Sequence, residues 1–93
     1  MITIEQKTSK DISVSVAMRV RKRRKELKLT QEQLSSKAGM SLASYKRFEQ
    51  KGLIAFDSLI RVAIALSCED DFDALFAKRG YASIEEVIRE QKH

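Results

Sequence analysis

Lys46 and Arg47 stand side by side between two aromatic residues, Tyr45 and Phe48, in the stretch SLASYKRFEQ at positions 41–50. A guanidinium is a planar fork of donors that matches guanine O6 and N7, while an ammonium is a point charge for phosphate. On a helix Tyr45 and Phe48 share one face, so the two cations point the other way. Ser41 and Ser44 add hydroxyls suited to phosphate or base hydrogen bonds. Leu42 and Ala43 offer only methyl groups, which suit contact with a thymine methyl. Lys51, together with the backbone N–H groups that open the next helix, suits a phosphate. Arg19, Lys22 and Arg23 form a second set of candidate backbone contacts.

Other chemistries lack their parts. The single histidine is His93 and the single cysteine is Cys68, so no Cys/His cluster can hold a metal. There is no glycine-rich phosphate loop, and a serine nucleophile would have no nearby base. Neither enzymatic activity nor a cofactor is expected. One cysteine also excludes an internal disulfide and suits a reducing cytoplasm.

The cations need a rod to carry them. Thr30 followed by Gln33 is a capping box and opens a helix over about residues 31–38, with Leu34 and Ala38 inward. Gly39 can take positive φ and ends it. Ser41 then caps another helix over about 42–50, with Tyr45, Phe48 and Glu49 inward. A longer helix precedes this pair, from near Ser13, capped by Asp11 or Ser13, to about Leu27. Its stripe is Val16 or Ala17, Val20, position 24 and Leu27. A fourth is expected over about 56–66, with Phe56, Leu59, Ile60, Ala63 and Leu66 inward. EDDFDALFAK reads as a fifth, its apolar side formed by Phe72, Leu75 and Phe76, with acids at the positive end of its dipole. Gly80 breaks it. Ser83 with Glu86 is a further capping box, opening a segment with Ile84, Val87 and Ile88 on one stripe. At the other end Ile2 and Ile4 alternate with polar residues, which fits a small strand or a disordered arm.

Two charges fall on apolar faces: Arg24 in the first helix and Glu49 in the third. A lone buried charge costs several kcal/mol, whereas a hydrogen-bonded pair is tolerated. Arg24 and Glu49 are therefore expected to meet and to fix the third helix against the first.

With 93 residues the chain has room for one small domain. It contains no proline and three glycines, which favours helix throughout. No apolar run approaches the roughly 20 residues of a membrane span. The opening MITIEQKTSKD lacks the basic head and apolar stretch of a signal peptide, so a cytoplasmic location is expected. Net charge is +5, but unevenly spread: residues 19–51 hold eleven Lys/Arg against three acids, and residues 52–93 hold five against eight. Such asymmetry points to an anionic partner on one side of the domain.

Arg24, LTQEQL at 29–34, Ala38-Gly39, Ser41, Phe48-Glu49 and LIRVAIAL at 59–66 together resemble the helix-turn-helix domain of the Cro and lambdoid-repressor type, also called the xenobiotic-response-element family. Ser35 and Tyr45 stand where that family commonly has alanine and an aliphatic residue. The resemblance implies an all-α, five-helix lambda-repressor-like DNA-binding domain over residues 13–79. A short N-terminal arm, 1–12, precedes it, and an additional C-terminal helical extension, 80–93, follows. It implies double-stranded DNA as partner, usually bound by a symmetric homodimer, with the third helix in the major groove. Gln31 matches the family position that contacts the DNA backbone and can support a base contact.

The expected function is thus a sequence-specific transcriptional repressor on a palindromic operator. Two alternatives stand beside it: a DNA-binding antitoxin with a protein toxin as partner, and an interaction module that has lost DNA binding. The segment from EDDFDALFAK onward serves either to pair two subunits or, in its last helix, as a lid on its own domain.

Overall fold

The computed structural model describes residues 7–78. The expected strand or arm around Ile2 and Ile4, and the capped segment beginning at Ser83, lie outside the described residues. Within them the chain is all helical: α1 Ser9–Glu26, α2 Gln31–Lys37, α3 Leu42–Lys51, α4 Phe56–Ala65 and a 3-10 helix, Glu69–Ala74. No helix of the described residues is long and apolar enough to cross a membrane.

Capping sets most of the boundaries. The hydroxyl of Thr8 accepts from the Asp11 backbone N–H, and the Asp11 carboxylate accepts from the Thr8 N–H. This reciprocal pair starts α1 at Ser9 rather than near Ser13, so residues 9–12, expected in the arm, are helical. Thr30 and Gln33 make the same box for α2, and Ser41 caps α3 through the Ser44 N–H. Gly39 (φ 68°) ends α2 and Gly52 (φ 73°) ends α3, positions where a Cβ would be strained.

The core gathers Ala17, Leu34, Ala38, Tyr45, Phe48, Val62 and Leu66, with Val16, Val20, Leu29 and Leu59 packed around it. Three expectations for the apolar faces need correction. Leu27 is 41% exposed, because α1 has ended and the chain turns so that Leu29 packs inward instead. Phe56 is 60% exposed, whereas Val62 is fully buried, so the α4 stripe is rotated toward Leu59, Val62, Ala63 and Leu66. The fifth helix is a short 3-10 turn; Leu75 is extended and Phe76, at φ 61°, is almost wholly exposed. Glu69, Asp70, Asp71 and Asp73 crowd that turn, and like charges at helical spacing oppose a continuous α-helix.

Candidate nucleic-acid interface

Orientation of α3 starts in the core. Tyr45 and Phe48 are buried and meet edge-on, with ring centroids 6.0 Å apart. Beside them the Glu49 carboxylate receives Arg24 Nε at 2.8 Å and Arg24 Nη2 at 3.2 Å. It also accepts from Gln31 Nε2 at 2.9 Å and from the Tyr45 hydroxyl. Arg24 Nη1 donates to the Leu29 carbonyl at 2.8 Å. One carboxylate therefore joins α1, α2 and α3, with every donor directional. Both side chains of the ion pair are nearly buried, at 9% and 4% exposure. Burial raises the Glu49 carboxyl, but the bonds from Arg24, Tyr45 and Gln31 outweigh it and hold its pKa below the usual range. The same carboxylate holds the proton on Arg24 more tightly. The Tyr45 hydroxyl is pushed up, first by burial and then by Glu49.

Two contacts of the helix-turn-helix unit escaped the sequence reading. Arg61 of α4 donates through Nη1 to the carbonyls of Ala38 and Gly39, at 3.0 and 2.9 Å, pinning the turn between α2 and α3. A Cβ on Gly39 would lie 3.0 Å from that nitrogen. Gly52 lets the end of α3 approach α1, where a Cβ would stand 2.8 Å from the Ser13 carbonyl carbon and 2.9 Å from the Val14 nitrogen. Signals for both were present: a lone arginine inside LIRVAIAL, and a glycine directly after a capped helix.

With its inner face fixed, α3 leaves Ala43, Ser44, Lys46 and Arg47 exposed and Leu42 half-buried. Ser41 is exposed, but its oxygen accepts from the Ser44 N–H at 3.1 Å and its hydroxyl donates to Ser44 Oγ at 2.9 Å. The Ser44 proton remains available to an outside acceptor. Arg47 and Ser44 border a depression shared with Ala55 and Ser58 at the start of α4. The cap residue Ala55 makes no side-chain hydrogen bond, which leaves the first N–H groups of α4 open on that side. Lys51 and its neighbour Gln50 border a different depression, shared with Ser9 and Lys10 at the start of α1. Thus Arg47, rather than Lys51, adjoins the opening of α4. Gln31 lies by Arg21, Thr30 and Gln50. The candidates therefore ring α3 in three places. Arg19 is exposed and bonded to Ser15 Oγ at 2.7 Å, Arg23 lies 3.5 Å from Glu26, and Lys22 is exposed.

No group of three or more His, Cys, Asp or Glu side chains that could hold a metal occurs among the described residues. Comparison with known proteins returned no match among curated proteins and none among solved structures. A family model described as helix-turn-helix matches residues 20–72, more than half of the chain and the whole of α2, α3 and α4. Members of that family are DNA-binding regulators and typically not enzymes. The match spans the turn at Gly39, the cationic face of α3 and the whole of the buried carboxylate cluster, and the chain belongs to the xenobiotic-response-element, or Cro/C1-type, helix-turn-helix family of DNA-binding transcription regulators.

Proposed function

We propose that the chain is a cytoplasmic repressor that binds a palindromic operator as a symmetric dimer, with α3 of each subunit in a major groove. The observation that carries this reading is the division of α3. Tyr45, Phe48 and Glu49 are locked inside while Lys46 and Arg47 stand free on the outer face. A B-DNA major groove about 12 Å wide admits one such helix.

Within this reading Arg47 reads guanine O6 and N7, and Leu42 and Ala43 touch a thymine methyl. Ser44 and Lys46 hold phosphate or base acceptors, with Ser41 fixing the start of the helix. Gln31 contacts the backbone from the first turn of α2, its Nε2 committed to Glu49. Lys51 takes a phosphate on the α1 side. Two copies would read half-sites about 34 Å apart. Selecting bound fragments from a random duplex pool tests the proposal. A palindromic motif with that spacing is expected, and a single asymmetric motif bound by monomers would overturn the dimer. Arg47→Ala should cost about 1–3 kcal/mol in binding and relax preference at one base pair. Equal loss on every sequence would instead make Arg47 a phosphate contact at the start of α4.

A second reading, the antitoxin of a toxin–antitoxin pair, draws support from Ile64 and Phe76, which are 55% and 95% exposed in the acidic half. Large apolar side chains in solvent suit a protein partner. Co-purification with the product of an adjacent gene would favour it.

A further inference from the structure

Cations stand on two flanks of α1, and the flanks face different neighbours. With the buried Arg24 as the inward direction, a helix of 3.6 residues per turn puts Lys10 and Arg21 on one flank and Arg19 and Arg23 on the other. The surroundings agree. Arg21 borders the depression that also holds Thr30, Gln31 and Gln50. Lys10 borders the one that holds Gln50 and Lys51. Arg19 and Arg23 instead line a groove with Leu59 of α4 and with Asp71 and Phe72 of the 3-10 helix, which no residue of α2 or α3 enters. Lys22 shares its depression only with other residues of α1. Gln50 thus joins the two depressions of the first flank. It is exposed and continues the outer stripe of α3 that carries Ala43, Lys46 and Arg47, at spacings of three and four.

We infer that the DNA interface continues from α3 through Gln50 onto this flank of α1, where Arg21 and Lys10 each hold a backbone phosphate. The inference rests on the reading that α3 enters the groove, and it puts Arg21 and Lys10 in place of Arg19, Lys22 and Arg23 as the phosphate contacts of α1. A helix in the major groove has a phosphate backbone on either side of it, so a flank that adjoins the outer stripe of α3 meets one of them. Arg21 and Lys10 are free for that contact: both are exposed, and among the described residues neither takes part in an ion pair. Arg23, by contrast, lies 3.5 Å from Glu26, and Arg19 donates to Ser15 Oγ. Glu49 is the one acid lining either depression, and Arg24 already matches its charge. From Lys10 to Arg21 is about three turns and roughly 16 Å of rise, so the two grip separate phosphates and do not compete for one.

Salt dependence tests the assignment, with the full chain and a mixed-sequence duplex as probe. Arg21→Ala and Lys10→Ala should each flatten the slope of log affinity against log salt by about 0.9 per bound subunit, the share of one phosphate contact on B-DNA. Arg19→Ala and Arg23→Ala should leave the slope unchanged. Gln50→Lys adds a cation between the two depressions and should steepen the slope by a similar amount, a gain that partial unfolding cannot produce. Equal flattening by Arg19→Ala and Arg21→Ala would reveal a diffuse basic field and overturn the inference. So would slopes that move in neither Arg21→Ala nor Lys10→Ala. Arg47→Ala keeps this inference apart from the proposed function. Lost binding in that variant, beside unmoved slopes in the α1 variants, would reject the flank and leave α3 in the groove. A parent chain whose affinity ignores salt would reject both.

Discussion

The two ends of this domain are held by different forces. Around α3, nearly every constraint is directional. Arg24, Gln31 and Tyr45 converge on one carboxylate, Arg61 grips two carbonyls of the turn, and Thr8, Thr30 and Ser41 cap their helices. Around α4 and the 3-10 helix neither Ala55 nor Cys68 supplies a side-chain cap, and the packing is apolar and half-open. Hydrogen bonds fix angles, whereas apolar burial is roughly proportional to area and indifferent to direction. A helix that must enter a groove needs its angle fixed. An apolar flank needs only to be covered, by whatever segment fits.

That contrast predicts unequal responses to truncation. Arg24→Ala leaves the Glu49 carboxylate buried without its cation and should cost about 3–5 kcal/mol of stability. Phe72→Ala, at the half-open end, should cost well under the roughly 3–5 kcal/mol of a fully buried phenylalanine. Denaturant midpoints of the two variants measure the difference. Equal losses would show that the polar cluster orients nothing that packing alone does not already hold.

Gly52→Ala comes next. It places a Cβ at φ 73° against the backbone of Ser13 and Val14, so α1 and α3 must separate. Left-handed backbone costs roughly 1–2 kcal/mol for a residue with a Cβ, and the forced shift adds about 1–3 kcal/mol. A melting temperature indistinguishable from that of the parent chain would mean that the two helices slide freely, against the directional account.

Acid should probe the same cluster more gently. The folded pKa of Glu49 is below its ordinary 4.5. Its contribution is therefore fully present above about that value and is lost as pH falls through the lower folded pKa. Asp11 is also lowered, chiefly by its backbone bond to Thr8, and adds a loss of the same sign. Unfolding followed from neutral pH into strong acid, in the parent chain and in Asp11→Asn, separates the two. A pH-independent midpoint in Asp11→Asn would deny Glu49 a stabilised charge.

Much of the polar end was legible from residue types alone. An arginine and a glutamate on otherwise apolar stripes point to each other, because neither can be buried unpartnered. The capping box at Thr30 and a glycine stop at 39 are local chemistry, and local chemistry reads directly. Arg61 and Gly52 were harder, since their partners lie 22 and 39 positions away and no periodicity announces a carbonyl acceptor or a backbone approach. The apolar end was read less well for a physical reason. The rotation of α4 depends on which of several similar residues the rest of the fold covers, and both Val62 and Phe56 are apolar in sequence. Four acids in five positions made the 3-10 turn, overriding the apolar spacing of Phe72, Leu75 and Phe76.

The smallest effect tests the contrast in charge. Lys51 lies at the end of α3 beside Lys10, in the basic half, while Lys78 is exposed in the acidic half. Each phosphate neutralised by a cation releases counterions, so on B-DNA the slope of log affinity against log salt falls by about 0.9 for every phosphate that goes unneutralised. Lys51→Ala should therefore flatten the salt dependence by about one charge and weaken all sequences alike. Lys78→Ala should leave the slope unchanged if DNA is bound by α3 as proposed, with the acidic half turned from the phosphates. Identical slopes for both variants would detach Lys51 from the interface, and a flattened slope for Lys78→Ala would place DNA against the half now assigned to apolar packing.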